Sequence, residues 1–149
     1  MVDKVFKPLP EVINQHSGLA RKVLDWASHQ KTLIDACKEP GFDEDQWDGL
    51  AVFVNLEKFQ RVGTMMETMD FAEFVGFMRE WAPTAHWEGT FKRITEHDNV
   101  VILEMEERIG ASAINSISVY EFDEDGQLEH LDVYMQPAPN SRPRSASQG

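Results

Sequence analysis

Along this chain the spacing of apolar residues changes period once, at Pro83, and that change constrains the fold more than any other feature. Before Pro83 the apolar residues recur three and four apart, the helical period; after it they alternate, the strand period. The first half must therefore bury one stripe per helix and the second half one face per strand. Helices laid across a single sheet satisfy both, which predicts an α+β fold. A length of 149 residues suits one such domain with one core.

The helical half reads as follows. Residues 1–16 are expected to be a leader carrying Pro8 and Pro10, with a short helical turn at residues 10–13. A helix is predicted from Ser17 to Cys37, its stripe formed by Val23, Trp26, Ala27, Ile34 and Cys37 and its end set by Pro40-Gly41. Asp43 and Gln46 have capping-box spacing, with Phe42 and Trp47 as the staple, and Leu50, Ala51 and Val54 continue the buried face. Asp70 and Glu73 repeat that grammar with Met69 and Phe74, ahead of a stripe of Phe71, Val75, Met78 and Trp81 that Pro83 ends. A short hairpin is expected between these helices, over residues 57–68, with Gly63 near its turn.

Four strands are predicted after Pro83, at residues 86–95, 100–109, 114–122 and 128–136. Their turns are His97-Asp98-Asn99, Gly110-Ala111 and Asp123-Glu124-Asp125-Gly126. From residue 138 onward Pro, Ser, Arg, Asn and Gln replace the apolar pattern, and a disordered tail is expected there. The domain proper then spans 17–137.

Composition removes several classes of function. With 26 acidic against 14 basic residues the formal net charge is −12, a field that repels phosphate backbones and anionic membranes, so no nucleic-acid or membrane partner is expected. No apolar run is long enough for a bilayer span, and the first residues do not read as a secretory signal. Cys37 is the only cysteine, which rules out an internal disulfide and points to a reducing cytoplasm. The 5 histidines are scattered, so no metal and no other cofactor is expected.

Helices, an inserted hairpin, then a four-stranded meander: this order resembles the nuclear transport factor 2-like superfamily, which includes ketosteroid isomerases, limonene epoxide hydrolases, scytalone dehydratases and SnoaL-type polyketide cyclases. The most specific stretch is Val119 to Pro137. Its Phe122, acidic turn and Gly126 are similar to the isomerase pattern, and Glu129-His130-Leu131-Asp132-Val133 is similar to a SnoaL-like ending with leucine in place of tryptophan. Asp98 to Glu104 looks like the matching epoxide hydrolase strand. The resemblance implies a cone-shaped α+β barrel, with three helices packed on a strongly curved mixed or antiparallel sheet around a cavity.

It also implies which alternate residues face that cavity: Phe59 and Arg61 on the first short strand, with a one-residue slip open there; Leu103, Met105 and Glu107; Ser116, Ser118 and Tyr120; Leu131, Val133 and Met135. The isomerases keep a carboxylate base near Arg61 and a protonated aspartic acid near Ser118, and neither is present here. Of the two aspartates and the arginine of the epoxide hydrolases, the equivalents are Val133, Glu107 and Met105. What remains is an apolar cavity with Arg61, Glu107, two serines and Tyr120, the usual make-up of a small-molecule site. Glu107 is the expected proton-transfer group, with a carboxyl pKa raised by burial unless a cation pairs with it. Arg61 is its electrostatic partner, or else the two form a structural ion pair. His29, at the edge of the first stripe, is a further candidate where isomerases supply a tyrosine, and His86 with Trp87 is expected at the rim. His130 and Asp132, with Glu104, Glu106 and Arg108, fall on the opposite face, where the superfamily commonly makes dimers.

Two readings follow. One is a cofactor-independent isomerase, dehydratase, cyclase or carbon–carbon lyase acting on a small hydrophobic ring-bearing molecule. The other is a non-catalytic ligand-binding or dimeric interaction module. A cavity left open inside the cone favours the first; one filled by the chain's own side chains favours the second.

Overall fold

The structure, a computed structural model, describes residues 2–137. The tail expected at 138–149 lies outside the described residues. Helix α1 (Gly18–Ala36) and helix α2 (Phe71–Trp81) lie across a seven-stranded sheet built from β1 (Lys7–Pro8), β2 (Gln60–Val62), β3 (Thr68–Met69), β4 (Trp87–His97), β5 (Val100–Ile109), β6 (Ser112–Phe122) and β7 (Leu128–Pro137). The spatial order is β1-β4-β5-β6-β7-β2-β3. All neighbours run antiparallel except β2 and β7, which are parallel, so the sheet is mixed. It curves around the helices without closing on itself, and among the described residues no pairing joins β1 to β3. Register shifts at Phe91/Arg93 in β4 and Glu121/Phe122 in β6 add local bend.

Both α-helices follow the sequence pattern. In α2 the box is complete: the Glu73 amide donates to Asp70 Oδ1 at 2.8 Å and the Asp70 amide to Glu73 Oε1 at 2.9 Å. Ser17 precedes α1 without a side-chain cap; Glu96 of β4 serves instead, accepting from the Ala20 amide at 2.9 Å. Helix start and sheet are thereby tied together.

The middle helix departs from expectation. Glu44–Phe53 is a 3₁₀ helix of ten residues: the helix expected after Asp43 is present, and its winding is tighter than that of an α-helix. The Asp43–Gln46 box does not form. Asp43 Oδ1 instead accepts from the Asp45 amide at 2.9 Å, two residues on, which suits the tighter winding. The physical reason is visible in the burial: Trp47 and Leu50, three apart, are both fully buried, and side chains at that spacing eclipse in a 3₁₀ helix. The staple pair is present, with Phe42 and Trp47 rings 6.5 Å apart.

The core joins these layers through Trp26, which is only 2% exposed. Its indole stacks on Phe74 of α2 at 5.7 Å and meets Phe53 edge-on at 5.7 Å and Phe59 at 6.1 Å. Leu9 and Val12, ahead of α1, are buried in the same core.

The β6–β7 turn is organised by one carboxylate. Asp123 accepts from the amides of Asp125 and Gln127 and from Asn55 Nδ2, each at 2.9 Å. Gly126 follows at φ 76°, and Lys22 of α1 donates to its carbonyl at 2.6 Å. These donors, the Gln127 amide foremost and the Asn55 amide next, hold the Asp123 carboxyl below its usual range. A depressed folded-state pKa stabilises the fold above the unfolded-state value and is lost as pH falls through the folded one. Asp123→Ala is therefore expected to lower the melting temperature by a few degrees at pH 7, with the gap to wild type narrowing below about pH 4. Calorimetry across pH 2–7 tests this; a gap that stays constant with pH counts against it.

Candidate functional site

The concave face of the sheet and the two α-helices enclose a mainly apolar cavity of about 390 Å³. Strand register arranges its wall in rows. At the narrow end Tyr120, Leu131 and Arg61 are neighbours on successive strands. Next come Leu103, Ser118 and Val133, then Met105, Ser116 and Met135. Glu107 follows, opposite Gly89 of β4. Trp26, Gln30 and Ile34 of α1 and Phe74, Phe77 and Trp81 at α2 cover the opening of the curve.

Ten of the twelve candidate residues read from the sequence line this cavity: Arg61, Leu103, Met105, Glu107, Ser116, Ser118, Tyr120, Leu131, Val133 and Met135. The slip left open for the first short strand is absent, since Arg61 pairs with Leu131 and faces inward. Two candidates stand elsewhere. Phe59 points to the inner side but packs between Trp26, Phe71 and Phe74, one layer behind the lining, because it precedes β2 at the tapered end. His29 turns to the other side of α1, edge-on to Phe53 at 5.8 Å and near Gly49 of the 3₁₀ helix. Gln30, the next residue, takes the inward position on the helical wheel.

Glu107 is held by a residue that packing alone does not reveal. The Trp87 indole N–H donates to Glu107 Oε1 at 2.5 Å, and among the described residues no other hydrogen bond reaches this carboxylate. Gly89 makes this contact possible. A β-carbon there would sit 3.0 Å from the Trp87 ring and 2.4 Å from Met105 Cε, so a bare backbone lets the indole fold across to the neighbouring strand. Trp87, Gly89 and Phe91 alternate on β4, which is the signal in the sequence that marks Trp87 as inward.

The alternative reading of Arg61 and Glu107, a structural ion pair, is not what forms. Among the described residues no carboxylate lies within 4.0 Å of Arg61, and its guanidinium makes no hydrogen bond. Its charge lies over the Phe74 ring, 5.8 Å from the centroid. Burial lowers the Arg61 pKa, against the pull of Glu67, Tyr120 and Glu107. Burial pushes the Tyr120 phenol well up, and the Glu107 charge adds to this, against Ser118 and Arg61. Tyr120 is thus a neutral hydroxyl donor across the physiological range. The cavity therefore places donors Arg61 and Tyr120 towards the narrow end, with the Glu67 carboxylate acting on Arg61 and the Glu107 carboxylate towards the other end.

The remaining histidines lie apart. His86 is exposed in a separate groove with Lys31, Lys38 and Arg108, His97 is exposed beside Asp98, and His16 lies against Phe91. His130 pairs with Asp132 at 3.0 Å on the convex face. Among the described residues no three His, Cys, Asp or Glu side chains converge as a metal site, and no helix is long and apolar enough to cross a membrane.

No protein-family model matches this chain, and no curated protein matches it. Solved structures do. An NTF2-like protein of unknown function from Cytophaga hutchinsonii superposes with a TM-score of 0.60 at 16% identity, over 81% of this chain and 92% of that one. A steroid delta-isomerase from Pseudomonas aeruginosa superposes at 0.58 and 15%, over 85% and 84%. An LEH-like epoxide hydrolase from M. tuberculosis reaches 0.50 at 13%, over 73% and 80%. The fold is accordingly the NTF2-like cone, which the steroid delta-isomerase and the LEH-like epoxide hydrolase also adopt. At these identities the likeness defines architecture, and the chemistry has to be argued from the cavity.

The Trp87–Glu107 bond gives a direct test of the site's construction. Gly89→Ala is expected to push the indole away, moving the Trp87 indole N–H resonance towards the free position and lowering stability by about 1–3 kcal/mol. An unmoved resonance in a folded protein would mean that Gly89 does not govern this contact.

Proposed function

We propose that this chain is a cofactor-independent enzyme of the lyase or isomerase kind, taking a small hydrophobic, ring-bearing molecule into the cone and moving a proton with its own side chains. The observation that carries this reading is the open apolar cavity with an acceptor carboxylate and separate donors facing one space. A cavity filled by its own side chains would have favoured a purely structural module.

In this mechanism Trp87 anchors Glu107 Oε1 and leaves Oε2 to take a proton from substrate carbon. Tyr120 and Arg61 hold a polar group of the substrate at the narrow end, and the Arg61 charge acts on the developing negative charge through the low-dielectric cavity. Return of the proton at another carbon gives isomerisation; departure of a β-substituent gives elimination. A reducing, cytoplasmic setting is proposed with it, since Cys37 has no second thiol to pair with.

Proton exchange from D2O into a panel of cyclic ketones, followed by NMR, checks the assignment. Glu107→Gln is expected to slow exchange at least ~100-fold while changing ligand affinity little. A folded Glu107→Gln protein exchanging at the wild-type rate would end this assignment.

The convex face supports a second part of the proposal, a homodimer. Ile117 and Tyr134 are paired neighbours there, 44% and 57% exposed. The Arg93–Glu104 and His130–Asp132 pairs lie on the same face, an arrangement that a two-fold axis can match to itself. Sedimentation is expected to show a dimer at micromolar concentration that Ile117→Arg converts to monomer. A wild-type monomer would count decisively against it.

A further inference from the structure

Arg61 is the unusual group in this cavity. It is the lining residue that carries a positive charge, it enters from the short parallel strand β2, and no carboxylate among the described residues neutralises it within 4.0 Å. Its charge lies over Phe74, and an aromatic face satisfies none of the N–H donors on the guanidinium edge. Burying such a charge costs stability unless it is paired and hydrogen-bonded. A fold that needed only to fill this space would place leucine or methionine here, as the neighbouring Leu131 and Met69 do. The arrangement makes sense when the partner arrives with the ligand.

We infer that the ligand of this cavity carries a single carboxylate, received at the narrow end by the Arg61 guanidinium and the Tyr120 hydroxyl, with its apolar body lying along Leu103, Val133 and Met105 towards Glu107. The inference rests on the reading of the cavity as a small-molecule site. Register carries the geometry: Tyr120 and Arg61 both flank Leu131, one from β6 and one from β2, and both line the cavity beside it. A guanidinium fork and a neutral phenol are both donors, and a carboxylate offers acceptors to each. The number of charges selects a monoanion. Glu67 and Glu107 stand in the same lining as this one cation, so any ligand charge beyond the single carboxylate that Arg61 can pair would meet only repulsion.

The same placement orients the reaction. Glu107 lies three inward positions along β5 from the Tyr120 row, yet its charge still acts on Tyr120 and Arg61, so one small molecule can reach all three. The carboxylate is therefore bound at a different end of the ligand from the carbon that gives its proton to Glu107. Arg61 supplies binding and orientation by this route, and the substrate class is a ring-bearing carboxylic acid.

The test uses matched aromatic probes, 2-naphthoate and its neutral amide, measured by calorimetry at pH 7 against wild type, Arg61→Met and Arg61→Lys. Wild type is expected to prefer the naphthoate by about tenfold or more. Arg61→Met is expected to lose that preference while keeping its affinity for the amide, and Arg61→Lys to recover part of it. Without ligand, Arg61→Met is expected to melt no lower than wild type, since it removes a half-buried charge with no carboxylate within 4.0 Å among the described residues; a structural ion pair would give the opposite. Equal or tighter binding of the amide to wild type, or an undiminished naphthoate preference in folded Arg61→Met, overturns the inference and leaves the small-molecule site standing. Should Arg61→Met fail to fold, the wild-type preference and its reduction in Arg61→Lys decide the matter. If neither probe binds wild type, the reading of the cavity as a small-molecule site falls, and this inference falls with it.

Discussion

The cone stays open because an aromatic block props it. Trp26 sits where α1, α2, the 3₁₀ helix and the lead-in to β2 meet, and its ring contacts with Phe53, Phe59 and Phe74 hold these elements at fixed separations. Rigid rings at the tapered end do two things that aliphatic side chains would not. They fill the space where the curved sheet narrows, and they resist the collapse of the helices onto the sheet that would close the cavity beyond. The cavity begins where this block ends, since Trp26 and Phe74 belong to both. Core and site are continuous here, and truncation at Trp26 would damage both.

How much of this was legible follows from which interactions are local. Helix α2 is specified by its own residues: a box, a staple and a proline stop lie within a dozen positions, and the observed bounds agree. The long strands were equally readable, because alternation and acidic or glycine turns are local signals. The winding of the middle helix was not, although its place was. Asp43 and Gln46 satisfy the box spacing, but the outcome depended on how Trp47 and Leu50 seat against the rest of the core, which the local pattern does not encode.

The site divides along the same line. Once parity was known, ten of the twelve candidate residues could be assigned to the cavity wall, since strand alternation repeats without error over a whole strand. Phe59 and His29 escaped that logic for different reasons. Phe59 has the right parity but the wrong depth, and depth depends on the taper of the cone. His29 lies at the edge of a helical stripe, where a rotation of one residue's worth of angle decides between Gln30 and His29. The Trp87–Glu107 bond needed a third element, the missing side chain of Gly89, and a glycine inside a strand marks close approach only when the neighbour is known.

Stability and site pull against each other most plainly at Arg61. Its pKa is lowered by burial, which is to say that the fold pays to keep it charged. Phe74 and the more distant carboxylates soften that cost without removing it. The compensation lies in elements that do not touch the cavity: the complete box on α2, the Glu96 cap on α1 and the Asp123-centred turn all strengthen the frame locally. Strong local order in the frame is what allows local disorder of charge in the site, because the short strand β2 that carries Arg61 is held by β7 on one side and β3 on the other. A cation placed on a free loop would swing to solvent; fixed on a paired strand, it has to face the cavity.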